Sequence, residues 1–189
     1  TMDGDHVVTK KVKFVSGNPN KIAEVEAILE ALEPELKRNL VIEAVKLDLP
    51  EMQGSSSEIV KAKIAAATRV IDGPVLVEDV SLSCNALGGM PGPYVKHFLG
   101  SMAPGTLYKL LNAYPDKSTT AICTLAYTEG KDQTIHTFEG IVQGEMVMPR
   151  GDNKFGWDPM FQPADMTQTY AEMAPEEKNA KSHRALAIK

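Results

Sequence analysis

Glu78 and Asp79 stand side by side at the end of a short apolar run, Val75-Leu76-Val77. A buried strand that hands carboxylates to its end is a common way to hold a hard cation through oxygen donors. If the strand runs on regularly, neighbouring side chains point to opposite faces, and only one of the pair reaches a shared metal. Asp79 is the expected ligand. Glu51, in the irregular loop Asp48–Gly54, is the second candidate. Alone it reads as a surface carboxylate, but its loop follows another strand and can converge on the same place. Such a donor set selects Mg2+, with Mn2+ as a substitute. Beyond the carboxylates the chain turns through Gly88, Gly89, Pro91, Gly92 and Pro93 before reaching Tyr94 and Lys96. The glycines give up backbone entropy and the prolines take some of that freedom back, the pattern of a loop shaped around a ligand.

Three further groups carry chemistry. Ser16, Gly17, Asn18, Pro19, Asn20 and Lys21 form a polar turn at the start of a helical pattern. Backbone N–H groups there, with the Lys21 charge, suit a phosphate. The segment lacks the Walker A spacing and reads equally well as an ordinary strand-to-helix turn capped by asparagine. Phe155, Gly156, Trp157 and Asp158 can grip a flat ring by stacking and hydrogen bonding. In isolation an aromatic core corner is the slightly better reading. Lys178, His183 and Arg184 lie near the end of the chain. In one continuous helix Lys178 and Arg184 point well apart. If Ser182 instead caps a new short helix, His183 and Arg184 fall in its first turn and can face a ligand together with Lys178.

The elements that must position these groups are read from periodicity. Strands are expected at Val12–Val15, Leu40–Val45 and Val75–Val77, the last with an extended continuation over Ser81–Leu87. Ile22, Val25, Ile28, Leu29 and Leu32 recur at helical spacing, and Pro34 interrupts the region after them. Ser55 and Glu58 spell a capping box for a helix that carries Ile59, Ala62, Ala66 and Val70 on one side and ends near Asp72-Gly73. Short helices are expected over Pro93–Leu99 and from Pro104. Thr119–Thr128 and Gln133–Glu139 read as a hairpin, Ile141–Met148 as a further strand, Pro149–Lys154 as a turn, and Ala174–Lys189 as helical. The result is one α/β domain, residues 2–189, with a mixed sheet and a smaller lobe within 93–150.

Composition narrows the partners. The 189 residues carry a formal net charge of −5 and no basic arm, which disfavours a nucleic-acid partner. With 43% hydrophobic residues and no apolar run of spanning length, no membrane partner is expected, and the N-terminus does not read as a signal peptide. Cys84 and Cys123 sit in apolar runs and read as buried thiols of a reducing, cytoplasmic setting.

In chain order, the segments FVSGNPNK, DLPEMQG, GPVLVEDVSLSCNALGGMPGPYVKHFL, MPRG, FGWDPMFQP and TYAEMAPEEKNAKSHRAL closely resemble the inosine triphosphate pyrophosphatases, also called the Ham1-like family. The resemblance covers nearly the whole chain. It implies an elongated mixed sheet with flanking helices and two lobes around a central cleft. It also implies Mg2+-dependent hydrolysis of ITP, dITP and XTP to monophosphate and pyrophosphate, by a homodimer. On it, Ser16 to Lys21 bind phosphate, Glu51 and Asp79 bind metal, and Asp79 accepts the proton, with Glu78 kept open as the base. Lys63 and Lys96 contact substrate, Phe155 to Asp158 bind the base, and Lys178, His183 and Arg184 complete the site. Val80 stands where many relatives have Thr or Ser, so only its backbone N–H remains as a substrate contact. The rival readings are a Maf-like pyrophosphatase and a nucleotide sensor that does not hydrolyse.

Overall fold

The computed structural model describes residues 9–32, 39–152 and 155–189. Pro34, and Asn153 and Lys154 at the end of the expected turn, lie outside them, as do residues 2–8 of the N-terminus. The first unit is β1 (Lys10–Val15), α1 (Pro19–Glu30), β2 (Leu40–Val45) and α2 (Ser56–Ala67). Asn18 caps α1 with Pro19 at its first position, where the missing proline N–H costs nothing. The Ser55–Glu58 capping box opens α2 as expected.

β3 (Val75–Cys84) is one ten-residue strand; it joins the run Val75–Val77 to the expected continuation, of which Asn85–Leu87 form a 3-10 turn instead of extended chain. It does not break at the carboxylates, because β5 pairs with it along its whole length. A turn through Gly88 and Gly89 leads to β4 (Pro91–Gly92), α3 (Val95–Ser101) and α4 (Thr106–Leu110). The glycines of this loop do not line the cleft, against expectation. Gly88 and Gly89 take positive φ of 63° and 92°, conformations that need no Cβ, and let β4 fold back onto β3 at Leu82 and Ser83.

β5 (Ser118–Thr128) and β6 (His136–Met146) form the long hairpin, and β7 (Phe161–Pro163) comes after it. The expected break between Gln133–Glu139 and Ile141–Met148 is absent: β6 runs through Gly140. That glycine reflects a close approach instead, since a Cβ there would lie 1.9 Å from the His183 carbonyl oxygen. The C-terminus is two helices, α5 (Pro175–Lys181) and α6 (His183–Ile188).

Among the described residues seven strands run β2-β1-β3-β5-β6-β7, with β4 beside β3. β1 pairs in parallel with β2 and β3, and every other pairing is antiparallel. Among the described residues two large hydrophobic clusters and a small one of Cys123, Leu125 and Ala187 pack on this mixed sheet. Val60, Ile64, Val75, Val77 and Ala126 belong to one large cluster; Leu82, Leu107, Leu111, Trp157, Phe161 and Tyr170 belong to the other. β3 contributes to both. Each large apolar side chain so buried contributes about 1.5–3 kcal/mol before entropy is counted. Cys84 and Cys123 are free, buried thiols. Among the described residues no helix is long and apolar enough to cross a membrane.

Candidate functional site

The site arises where β1 stops. β1 pairs with β3 only from Val75 to Val77, and β4 joins β3 only at Leu82. Between them, on the β1 side, residues 78–81 have no strand neighbour among the described residues. The sheet forks there, and a cleft of about 740 Å³ opens. The first residues past the fork are Glu78 and Asp79.

Strand alternation sends the two carboxylates apart. Glu78 accepts hydrogen bonds from Arg184 Nε at 2.9 Å and Nη2 at 2.7 Å, a two-pronged contact. Lys21 Nζ lies 3.0 Å from Glu78 Oε1. Burial alone would push this carboxyl up, but Arg184 and Lys21 outweigh it and hold Glu78 well below the usual carboxylate range. Burial likewise opposes the charge of Arg184, and Glu78 and Glu24 more than offset it.

Asp79 faces the other way, toward α2. Its Oδ1 accepts from Lys63 Nζ at 2.9 Å. Its Oδ2 is buried without a hydrogen-bond partner among the described residues. A buried, unpartnered carboxylate oxygen is costly, and a cation is the partner that its chemistry asks for. Glu51 lies on the loop at the cleft mouth and accepts from Lys96 at 2.8 Å. That hydrogen bond holds Glu51 below the usual carboxylate range. Among the described residues no three His, Cys, Asp or Glu side chains converge on one point. A metal on Glu51 and Asp79 therefore fits only a hard ion that keeps water or phosphate oxygens in its other positions.

The turn after β1 is more closed than expected. Asn18 Oδ1 accepts from the N–H groups of Asn20 at 3.0 Å and Lys21 at 3.4 Å, and Ser16 Oγ accepts from Asn18 N–H at 3.2 Å. The asparagine cap and Ser16 thus engage the N–H groups of Asn18, Asn20 and Lys21. Ser16, Gly17, Asn18 and Lys21 line the cleft; Pro19 and Asn20 do not. All the other expected substrate residues line it: Lys63, Val80, Lys96, Phe155, Gly156, Trp157, Asp158, Lys178, His183 and Arg184.

The far wall is built by the break between α5 and α6. Ser182 is extended at φ −64°, ψ 161°, and its Oγ accepts from Ala185 N–H at 3.2 Å. The break turns Lys178 and Arg184 onto one carboxylate, Glu24 of α1, with Lys178 at 2.7 Å and Arg184 on the other oxygen. Lys178 also pairs with Asp158 and lies 5.1 Å from the centre of the Phe155 ring. Burial lifts Asp158 to about 6, with Lys178 working against it. Glu24 was missed at the level of sequence. The signal was its place three residues after Lys21, on the same face of α1.

The aromatic segment serves the core and the site at once. Trp157 packs edge-on against Phe161 with centroids 5.4 Å apart, and lies 5.2 Å from His183. His183 stacks on Tyr170 at 14°. Burial drives its imidazole well below the ordinary value, and neither ring nitrogen has a hydrogen-bond partner among the described residues. It is a neutral ring with polar edges in a cleft lined by both charged and apolar side chains.

The chain matches the Ham1 family over residues 12–189. It is 47% identical over 180 residues to the inosine triphosphate pyrophosphatase of Schizosaccharomyces pombe, covering 95% of this chain and 92% of that protein. Among solved structures it is similar to a HAM1 protein from Coxiella burnetii (28% identity, 94% of each chain, TM-score 0.78). It is also similar to the Ham1 protein of Staphylococcus aureus (25% identity, 95% of this chain and 94% of that one, TM-score 0.75). A third is a nucleoside-triphosphatase, dITP/XTP pyrophosphatase, from Mycobacterium abscessus (26% identity, 95% and 97%, TM-score 0.71). The family match spans nearly all of β1 to α6, with the forked strand and both walls of the cleft inside it: this chain belongs to the Ham1 family.

Proposed function

We propose that the protein hydrolyses non-canonical purine nucleoside triphosphates (ITP, dITP and XTP) to the monophosphate and pyrophosphate, with Mg2+ held by Glu51 and Asp79. The observation that carries the reading is the unpartnered Asp79 Oδ2 at the fork of the sheet. The names of the Schizosaccharomyces pombe and Mycobacterium abscessus relatives supply the substrate class. When bound, the metal would neutralise phosphate charge and help to orient water.

The protein's own part is positioning and proton transfer. Water attacks the α-phosphorus, the bond from that phosphorus to the bridging oxygen breaks, and pyrophosphate leaves with the electron pair. Asp79 takes the proton from the attacking water. Glu78 is the poorer base, because Arg184 and Lys21 occupy both of its oxygens. Lys63 and Lys96 exchange their carboxylates for phosphate oxygens. Phe155 and Trp157 wall the base, and Arg184 keeps donors to spare beyond Glu78 and Glu24. Donors at that edge suit a 6-oxo purine and leave the 6-amino group of adenine opposite unpaired donors.

The test is pyrophosphate release from ITP, dITP, XTP, ATP, GTP, dUTP and a methylated GTP, with Mg2+ and with chelator. Selective, chelator-sensitive release from ITP, dITP and XTP is expected. Preference for dUTP or methylated GTP would favour a Maf-like activity, and binding without release a sensor. We further propose a homodimer and a cytoplasmic location, to be checked by light scattering and by fractionation.

A further inference from the structure

We propose that Tyr94 is a positioning residue for the metal carboxylate Glu51, acting through the backbone of the loop that carries it. The inference rests on the reading of Glu51 and Asp79 as the metal pair. Residues 46–55 join β2 to α2 at the mouth of the cleft. Among the described residues, two polar contacts tie this loop to the segment that runs from β4 into α3. Lys96 Nζ donates to Glu51 at 2.8 Å, and Gly54 N–H donates to the Tyr94 hydroxyl at 3.0 Å.

The two ties differ in kind. The Lys96 and Glu51 side chains are 75% and 51% exposed, and an ion pair in water is weak. Lys96 also lines the cleft, so a bound triphosphate draws it away from Glu51. Tyr94 is half-buried and is not part of the cleft lining, so no ligand displaces its hydrogen bond. Its ring is held by a firm base: the Tyr94 carbonyl accepts from His97 N–H at 2.9 Å and Phe98 N–H at 3.3 Å in the first turn of α3. On the loop side, Ser55 N–H donates to Glu58 at 2.9 Å, pinning the residue after Gly54 to the α2 cap. Gly54 thus sits between a fixed helix end and a fixed tyrosine, three positions from Glu51. When Lys96 leaves for the substrate, the Tyr94 hydroxyl is the tie that keeps Glu51 opposite Asp79.

Tyr94→Phe keeps the ring and removes the hydroxyl. Mn2+ is the probe, titrated by electron paramagnetic resonance against the nucleotide-free protein, beside limited proteolysis of loop 46–55 without metal. Tyr94→Phe is expected to weaken Mn2+ binding about two- to tenfold, the span of one lost hydrogen bond, and to speed cleavage in the loop. In turnover the metal requirement rises while kcat at saturating metal falls by less. If Tyr94→Phe does not fold, Tyr94→His, with a shorter side chain that keeps a polar tip, is measured the same way. Mn2+ binding and loop cleavage equal to the parent's overturn this inference alone. A parent that binds no Mn2+, or that binds it equally well as Glu51→Gln, overturns the metal reading and this inference with it.

Discussion

Arg184→Met is the sharpest test of how the cleft is held together. Arg184 is 1% exposed and grips Glu78 with two nitrogens while a third reaches Glu24. Removing it leaves Glu78 buried with Lys21 as its remaining cation. Breaking one side of a buried pair costs about 3–5 kcal/mol, whereas replacing both sides by neutral groups is often close to neutral. The single variant should therefore lose about 3–5 kcal/mol, and Glu78→Gln/Arg184→Met should recover at least half of it. Glu78 is depressed in the folded state from an ordinary value of 4.5. Its contribution is present above that value and fades as pH falls through the folded value. The gap between parent and Arg184→Met should thus narrow below pH 4.5. Urea unfolding with linear extrapolation, monitored through the buried Trp157, reads both effects. The double variant should regain stability and not activity, since the donors of Arg184 are still missing. A single variant as stable as the parent, or a double variant less stable than the single, refutes the reasoning.

Asp79→Asn should lower pyrophosphate release by about a thousandfold or more with Tm close to the parent's; near-normal turnover contradicts its role as base. Asp158 is lifted in the folded state to about 6 from 3.8. Its contribution is greatest below 3.8 and is lost as pH rises through 6. Asp158→Asn should flatten the stability profile across that window in urea titrations at stepped pH, and an unchanged slope counts against the buried acid. In Gly140→Ala the new methyl would meet His183 O at 1.9 Å and Ala187 N at 2.4 Å. α6 must then lift from β6, at about 1–3 kcal/mol. Calorimetry should show a lower Tm and substrate titration a higher KM; a variant equal to the parent in both means that α6 sits less tightly on β6 than these distances require.

The parting of the two carboxylates was readable because strands have a short period. Alternation alone separates Glu78 from Asp79, and the apolar run before them marks which strand carries them. Pairing was not readable in the same way. An extended continuation beyond the carboxylates was expected, but that β3 runs unbroken from Val75 to Cys84 follows from β5 lying beside it, which no local pattern records. Gly140 looked like a break between strands, and only the proximity of α6 explains it. The turn at Ser16–Lys21 was recognisable as a helix start, and its asparagine cap engages the N–H groups of Asn20 and Lys21. Glu24 and Tyr94 escaped for one reason: each acts through a partner distant in the chain, and each looks ordinary among its neighbours. The two-helix C-terminus was one of two alternatives, separated by whether Ser182 capped.

The pairing of charges inside the cleft has a consequence for encounter rates. Lys21, Lys63, Lys96, Lys178 and Arg184 each already face a carboxylate, so these cations project little positive field into solvent. The chain as a whole carries −5. A nucleotide polyanion approaching it meets mild long-range repulsion rather than guidance. Its capture should then be slow for a small ligand and should quicken, or stay level, as salt is raised, the reverse of an electrostatically steered enzyme. A nucleotide arriving already neutralised in part by its own cation escapes that repulsion, and the protein selects for it before any contact is made.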